Sequence, residues 1–151
     1  MVSVGGSAGR SGERAGSGTI AWKAREMLAR GEITESEMVD LVAPSAPPTG
    51  HCNTTGTPST MNSLAEALGM SLPGSASIPA PYRERGQCAY ETGRRIVEMV
   101  WQDDTPAKLL SRESFLNGIN VAMAVGCSTN AIVHLIAVAR RAGVPLDLAR
   151  F

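Results

Sequence analysis

Apolar positions recur with helical spacing along most of the chain. Residues 57–68 place Met61, Leu64, Ala65 and Leu68 on one helix face. The same spacing predicts helices over residues 20–30, 86–101 and 111–125, and a last helix that begins at Ser128 or Thr129 and closes before Gly143. Hardly any segment alternates with the period of a strand. The pattern therefore predicts a mainly helical chain with very little strand.

Helix start signals support this pattern. Thr34-x-x-Glu37 predicts a capping box, in which two side chains satisfy backbone donors at the start of a short helix. Thr57 or Ser59 is expected to cap the next helix. Pro106 after Thr105 marks another start, because proline at the first helical position loses no hydrogen bond.

Loops divide the chain into four predicted segments. A glycine-rich loop covers residues 1–19, short helices cover 20–43, a cysteine-containing loop covers 44–60, and a helical core covers 61–151. Residues 2–4 are either the end of a buried strand or part of a flexible terminal segment, which the composition favours. Long ordered loops in a compact chain usually mark a functional site or a missing part of the protein.

Residues 114–139 contain no charged side chain and are long enough to span a bilayer. Asn117, Asn120 and His134 interrupt the stretch with polar groups, which are costly in hydrocarbon. Residues 126–130 break it into two helical pieces. We therefore expect a buried helical hairpin, with His134 as a packing residue on or beside its apolar side.

Charge and cysteine content limit the possible partners and location. Fourteen basic and fourteen acidic residues cancel, and no long run of either sign occurs, so we expect neither a nucleic acid nor a membrane partner. Three cysteines, an odd number, argue against a secreted disulfide framework. No signal peptide is visible, and a cytoplasmic location is expected.

Cys52 is the main candidate for chemistry. It precedes a predicted helix N-terminus, where backbone donors and the helix dipole favour a thiolate. The alternative is an inert buried thiol. The separations between Cys52, Cys88 and Cys127 match no short zinc or ferredoxin spacing.

Other candidates have equally plain structural alternatives. His51 is a ligand, an acid–base group or a simple loop histidine. Arg83 or Arg85 either clamps a carboxylate or belongs to a solvated loop. The pair at 103–104 fits cap-region charges better than a divalent metal site. The glycine-rich stretches match neither a P-loop nor a dinucleotide fingerprint, and no nucleophile elbow is present.

Longer motifs resemble a known family. The run Gly50-His51-Cys52-Asn53-Thr54-Thr55-Gly56-Thr57-Pro58-Ser59-Thr60-Met61-Asn62, continuing over residues 65–74, resembles the IlvD/Edd dehydratases. Two further segments occur in the expected order, Gly16-Ser17-Gly18-Thr19 and Gly126-Cys127-Ser128-Thr129-Asn130, the second followed by Val133-His134-Leu135. The resemblance covers nearly the whole chain and implies part of an α/β N-terminal domain.

The resemblance implies an iron–sulfur cofactor. In the family three cysteines hold a [2Fe–2S] or a [4Fe–4S] cluster, of which [2Fe–2S] is favoured here, and the last of the three lies in the motif matched by Cys52. Only Cys52 inherits a ligand role, with His51, Asn53 and Thr54 as neighbours of the cluster or the substrate. Cys88 lies outside the ligand motifs, and Cys127 replaces a glycine.

The same resemblance implies that essential parts lie outside this chain. The family's other two cluster cysteines, its Mg²⁺ ligands and its catalytic serine have no counterpart here, so no catalytic residue is assigned. We therefore expect an internal piece of a longer protein that is inactive by itself.

The implied reaction is that of a hydro-lyase. It converts a sugar acid or another 2,3-dihydroxy acid to a 2-keto-3-deoxy acid, with cluster iron as the Lewis acid, and the full-length family is expected to form homo-oligomers. A branched-chain dihydroxy-acid dehydratase is the runner-up within the class. A non-catalytic helical interaction module, with Cys52 a simple thiol, is the alternative from another class. A small electron-transfer protein is disfavoured because no set of four ligands is present.

Overall fold

The computed structural model describes residues 17–45, 49–51 and 54–151. Its α-helices are α1 (Ser17–Ala29), α2 (Glu35–Val42), α3 (Thr57–Ala67), α4 (Arg83–Gln102), α5 (Pro106–Leu109), α6 (Arg112–Ala124) and α7 (Asn130–Arg141), and short 3₁₀ turns cover Ala43–Ser45, Ser75–Ser77 and Leu148–Arg150. Within the described ranges there is no strand beyond an isolated bridge at His51. The mainly helical prediction is confirmed. The glycine-rich segment before Ser17 lies outside the described residues.

The hydrophobic core lies where α3, α6 and α7 meet, and each of these helices contacts the other two. Its buried members are Leu64, Leu68, Phe115, Ile119, Ala122, Ala131, Leu135 and Ala139. A Cβ placed on Gly118 would lie 3.4 Å from Leu68 Cδ2, so the glycine permits a close approach of α6 to α3. α6 and α7 form the helical hairpin that residues 114–139 predict, but only one side of each helix is buried.

The predicted capping box is present at the start of α2. The Thr34 amide donates to Glu37 Oε2 at 2.8 Å, and the Glu37 amide donates to Thr34 Oγ1 at 3.3 Å. These bonds satisfy two backbone donors that the helix leaves open. α2 packs against α1, which precedes it along the chain.

Helix α4 differs from its prediction in both start and environment. It begins at Arg83 rather than Gly86, and none of its residues is buried. Ile96 and Val97, whose spacing resembles a core face, are more than half exposed. The helix ends at Gln102, and its C-cap Asp103 adopts a left-handed conformation with φ 53°.

Two further expectations were wrong. The N-cap of α3 is Gly56, without a side-chain cap, rather than Thr57 or Ser59. The Thr57 hydroxyl instead contacts Ser128, and the Ser59 hydroxyl donates to the Thr54 carbonyl. His134 is exposed rather than packed, because the buried line of α7 runs through Ala131, Leu135 and Ala139, and each residue turns the helix by about 100°.

Among the described residues, no helix combines the length and the apolar character that a bilayer span requires.

Candidate functional site

The two motif segments meet where α3 and α7 begin. Thr57 is the first residue of α3, and Ser128 lies in the break between α6 and α7. Their hydroxyl oxygens lie 2.9 Å apart, and Asn130 Nδ2 donates to Thr57 Oγ1 at 3.0 Å. Hydrogen bonds between side chains therefore join two segments that lie about seventy positions apart in the sequence.

Thr60 adds a second link between the same segments. It is fully buried, and its Oγ1 accepts a hydrogen bond from the Ser128 amide at 3.2 Å. Ser128 Oγ in turn accepts from the Asn130 amide at 3.4 Å, which holds the first turn of α7. We call Thr57, Thr60, Ser128 and Asn130 the hydroxyl–amide cluster.

The residues on either side of positions 52–53 are also tied to α3. His51 is half-buried, and its Nε2 lies 2.9 Å from Nδ2 of Asn62, which is itself buried. Thr54 is exposed, and its carbonyl accepts from Ser59 Oγ at 3.0 Å. The predicted ligand Cys52 and its neighbour Asn53 lie outside the described residues. Their structural surroundings therefore stay a prediction.

The two described cysteines do not complete a ligand set. Cys88 and Cys127 are free and half-buried; Cys88 lies on α4, and Cys127 packs against the hydrophobic core. In the described part of the chain, no three His, Cys, Asp or Glu residues come together in a way that could hold a metal ion. The described residues alone therefore do not fit an iron–sulfur cluster or a magnesium ion.

The charged candidates have structural partners. Arg85 donates to the carbonyl oxygens of Ser75 and Ile78, the first at 2.7 Å, and so holds the loop before α4. Arg83 is exposed and pairs with Glu84. Because Arg85 Nη2 holds two backbone carbonyls, this side chain has a structural role, and the carboxylate clamp through Arg83 or Arg85 stays a prediction.

The acidic pair after α4 is likewise part of the local structure. Asp103 pairs with Lys108 at 2.8 Å, and Asp104 pairs with Arg95 at 3.0 Å. These contacts agree with the interpretation of Asp103 and Asp104 as charges near helix ends.

Two carboxylates have a lowered pKa, and both lie at helix starts outside the hydroxyl–amide cluster. Hydrogen bonds from the backbone and side chain of Thr34 lower the pKa of Glu37. For Glu113, its own backbone amide and the Ser111 hydroxyl lower the pKa. The same hydrogen bonds satisfy backbone donors in the first turns of α2 and α6.

Sequence reasoning did not find the hydroxyl–amide cluster. The pattern predicts only a cap role for Thr57 and a helix start at Ser128. The available signal was that both residues lie in segments that resemble the same family. Hydroxyl side chains have no periodicity that would reveal a contact between segments so far apart in the sequence.

Comparison with known proteins agrees with the motifs. The whole chain, residues 1–151, matches the family described as dihydroxy-acid/6-phosphogluconate dehydratase N-terminal. The chain belongs to this family. Membership of the IlvD/Edd dehydratases places the hydroxyl–amide cluster in an enzyme family rather than in a generic helical domain.

Three relatives illustrate the similarity. The chain is 57% identical over 134 residues to a D-xylonate dehydratase of Caulobacter vibrioides, an alignment that covers 89% of the chain and 22% of that enzyme. It is 48% identical over 137 residues to an L-arabinonate dehydratase of Rhizobium leguminosarum bv. trifolii, and this alignment covers 91% of the chain and 24% of that enzyme. It is 44% identical over 124 residues to a dihydroxy-acid dehydratase of Methanospirillum hungatei, and this alignment covers 82% of the chain and 23% of that enzyme. The chain therefore spans less than a quarter of the length of these relatives.

Proposed function

We propose that this chain is a segment of an iron–sulfur-dependent sugar-acid dehydratase, to which it contributes Cys52 as one cluster ligand. The observation that carries the proposal is the hydrogen-bonded contact of Thr57 with Ser128 and Asn130. A cluster ligand must be held in a fixed place, because the donor atoms have to match the geometry of the iron ions. The contact joins the helix that follows the Cys52 motif to the second family motif.

The helix starts favour an anionic group in the same region. Cys52 lies five positions before Thr57, the first residue of α3, and Asn130 begins α7. Because Asn130 Nδ2 bonds Thr57 Oγ1, the two helix N-termini lie side by side. Each N-terminus has a partial positive charge, which favours a thiolate ligand or the carboxylate of a sugar acid.

The chemistry of the cofactor follows from the number of protein ligands. If Cys52 and thiolates from other parts of the longer dehydratase held the cluster, it would supply a Lewis acid for the departure of the substrate hydroxyl as water. The described residues contribute support: His51 is held against Asn62, and the carbonyl of Thr54 is held by Ser59. In this proposal the remaining thiolates, the Mg²⁺ ligands and the catalytic serine come from other parts of the longer dehydratase. The chain alone is then expected to show no turnover.

A sugar acid is the favoured substrate class. Identity is 57% and 48% to the D-xylonate and L-arabinonate dehydratases, and 44% to the dihydroxy-acid dehydratase of Methanospirillum hungatei. The alternative within the class is a dihydroxy acid of branched-chain type. The alternative from another class is a helical interaction module without catalysis.

A segment graft tests the proposal. The matching segment of the Caulobacter vibrioides D-xylonate dehydratase is replaced by this chain, and turnover is measured on D-xylonate and on 2,3-dihydroxyisovalerate. We expect iron binding and a preference for the sugar acid. A preference for the branched acid would select the runner-up. A folded graft without iron and without turnover on either substrate would support the interaction module.

A matched pair of variants tests the contact of Thr57 with Ser128 and Asn130 in the same graft. Thr57→Val removes the shared hydroxyl, whereas Thr92→Val removes a hydroxyl that only bonds the Cys88 carbonyl within α4. We expect iron content and turnover to fall in the first variant and to persist in the second. Equal iron content and equal turnover in the two variants would show that function does not depend on the Thr57 contact.

A further inference from the structure

Asn62 is a buried polar side chain on α3 whose amide faces an imidazole. It is 8% exposed, and its Nδ2 lies 2.9 Å from Nε2 of His51, which precedes the helix. Asparagine is a weak helix former, so helix propensity gives no reason for this residue within α3. A buried amide that lacks a partner is costly, because its hydration is lost without replacement. The contact with His51 accounts for an asparagine at this position.

The contact also decides which ring nitrogen of His51 has the proton. A side-chain amide nitrogen has two N–H donors and no acceptor, so Nε2 must accept from Asn62 through its lone pair. A neutral imidazole has one protonated and one unprotonated nitrogen, and the proton is then on Nδ1. The contact therefore selects the Nδ1–H tautomer of His51.

Asn62 belongs to an element that is fixed independently of His51. Two residues earlier on α3, Thr60 is fully buried and accepts a hydrogen bond from the Ser128 amide. Two residues later, Leu64 is fully buried in the hydrophobic core. His51 lies in the segment before this helix. Asn62 is therefore the fixed partner, and the imidazole of His51 is the group that it orients.

The selected tautomer limits the chemistry of His51. Coordination of a metal ion and abstraction of a proton both need a lone pair on a ring nitrogen. In the Nδ1–H tautomer the only such lone pair is on Nε2, which accepts from Asn62. The ring keeps one N–H donor, at Nδ1. Of the possible roles for His51, donation of a hydrogen bond is the one that this geometry favours.

We propose that Asn62 is a positioning residue that keeps His51 as a hydrogen-bond donor to an anionic acceptor, so that His51 is neither a metal ligand nor a base. The adjacent starts of α3 and α7 favour an anion in the same region. In the proposed dehydratase the acceptor is a carboxylate oxygen of the sugar acid or a thiolate sulfur. The tautomer rests on the contact alone, and the donor role rests on the proposed function.

NMR of the ¹⁵N-labelled chain tests the tautomer. The sequence contains two histidines, and exposed His134 on α7 is the internal control. Spectra are recorded at a pH well above about 6.5, the ordinary pKa of an imidazole. We expect Nδ1 of His51 to be protonated and Nε2 to be unprotonated. An Nε2–H tautomer in the wild-type chain would overturn the proposal without the need for a variant.

Asn62→Asp provides a second test of the same assignment. The substitution keeps the size of the side chain but replaces its donor with an acceptor. We therefore expect Nε2 of His51 to become protonated, while the ring signals of His134 stay unchanged. A tether without control of the tautomer would give the same proton position in wild type and in Asn62→Asp, and this result would contradict the proposal.

Two substitutions of His51 in the graft test the donor role. An asparagine amide places its N–H near the position of Nδ1, whereas a glutamine amide places it near the position of Nε2. We expect turnover on D-xylonate to fall about tenfold further in His51→Gln than in His51→Asn, which corresponds to one hydrogen bond to a charged group. Equal losses, or a smaller loss in His51→Gln, would contradict the donor role.

The same variants identify the acceptor. A higher KM in His51→Gln with an unchanged electron paramagnetic resonance spectrum would assign the acceptor to the substrate. An altered spectrum with an unchanged KM would assign it to a thiolate. A wild-type graft without turnover would overturn the proposed function and with it the donor role, whereas the tautomer of His51 would stand.

Discussion

The side-chain oxygens of Thr57 and Ser128 lie 2.9 Å apart although the residues are separated by 71 positions. Thr57 begins α3, and Ser128 precedes α7. The contact therefore links the helix after the Cys52 motif to the helix after the second family motif. It is supported on both sides, by Asn130 Nδ2 on Thr57 and by the Ser128 amide on Thr60.

Thr57→Val should reduce stability because it removes an acceptor used by Asn130 and the hydroxyl partner of Ser128. We expect the free energy of unfolding to fall by about 1–2 kcal/mol, because two hydrogen bonds are lost and each usually contributes a net of about 0.5–1.5 kcal/mol. Urea denaturation measures the change. Thr92→Val, whose hydroxyl bonds only within α4, should cost less than about 0.5 kcal/mol. Equal losses in the two variants would contradict the role of the contact.

Glu66 holds the loop between α3 and α4. Its Oε1 accepts from the Gly74 amide at 2.6 Å, and its Oε2 accepts from the Ala76 amide at 2.8 Å. Glu66→Gln replaces one acceptor with a donor, so one of the two amides loses its partner. We expect faster hydrogen exchange at Gly74 or Ala76, measured by NMR. Glu91→Gln on exposed α4 is the control, and unchanged exchange in Glu66→Gln would contradict the assignment.

Acid should weaken the start of α2 through Glu37. Hydrogen bonds from Thr34 lower the pKa of this carboxyl below its ordinary value of 4.5. A lowered pKa means that Glu37 stabilises the fold above its ordinary value, and that this contribution is lost as the pH falls through the lowered value. We expect the melting temperature of wild type to exceed that of Glu37→Gln at neutral pH, with the difference shrinking as the pH falls below 4.5.

A Thr34→Val background provides the control for this pH dependence. Without the Thr34 hydroxyl, Glu37 loses one of the hydrogen bonds that lower its pKa. The pH-dependent effect of Glu37→Gln on the melting temperature should therefore become smaller in this background than in wild type. An effect of the same size in both backgrounds would show that the Thr34 hydroxyl does not contribute to the shift.

Much of the helical fold follows directly from the sequence. Leu64 and Leu68, and likewise Leu135 and Ala139, recur with the helical period, and all four are buried. Thr34-x-x-Glu37 predicted its capping box because both partners lie within one helical turn. Local signals of this kind depend on few neighbours, and the exception is the N-cap of α3, which is Gly56 rather than Thr57 or Ser59.

Long-range features did not follow from the sequence. The spacing of Ile96 and Val97 showed that α4 has an apolar side, but spacing contains no information on what covers that side. The contact of Thr57 with Ser128 depends on how three helices pack, and a hydroxyl gives no periodic signal. The role of Cys52 was available only through the resemblance of its surrounding motif.

Iron content of the grafted dehydratase tests the central claim most directly. Cys52→Ser, Cys88→Ser and Cys127→Ser are compared in the graft, with iron measured per chain and the cluster followed by electron paramagnetic resonance after reduction. We expect Cys52→Ser to lose the cluster signal and most of the iron. Cys88→Ser and Cys127→Ser should keep both, since Cys88 lies on α4 and Cys127 packs against the core. Full iron and an unchanged spectrum in Cys52→Ser would contradict the assignment of Cys52 as a cluster ligand.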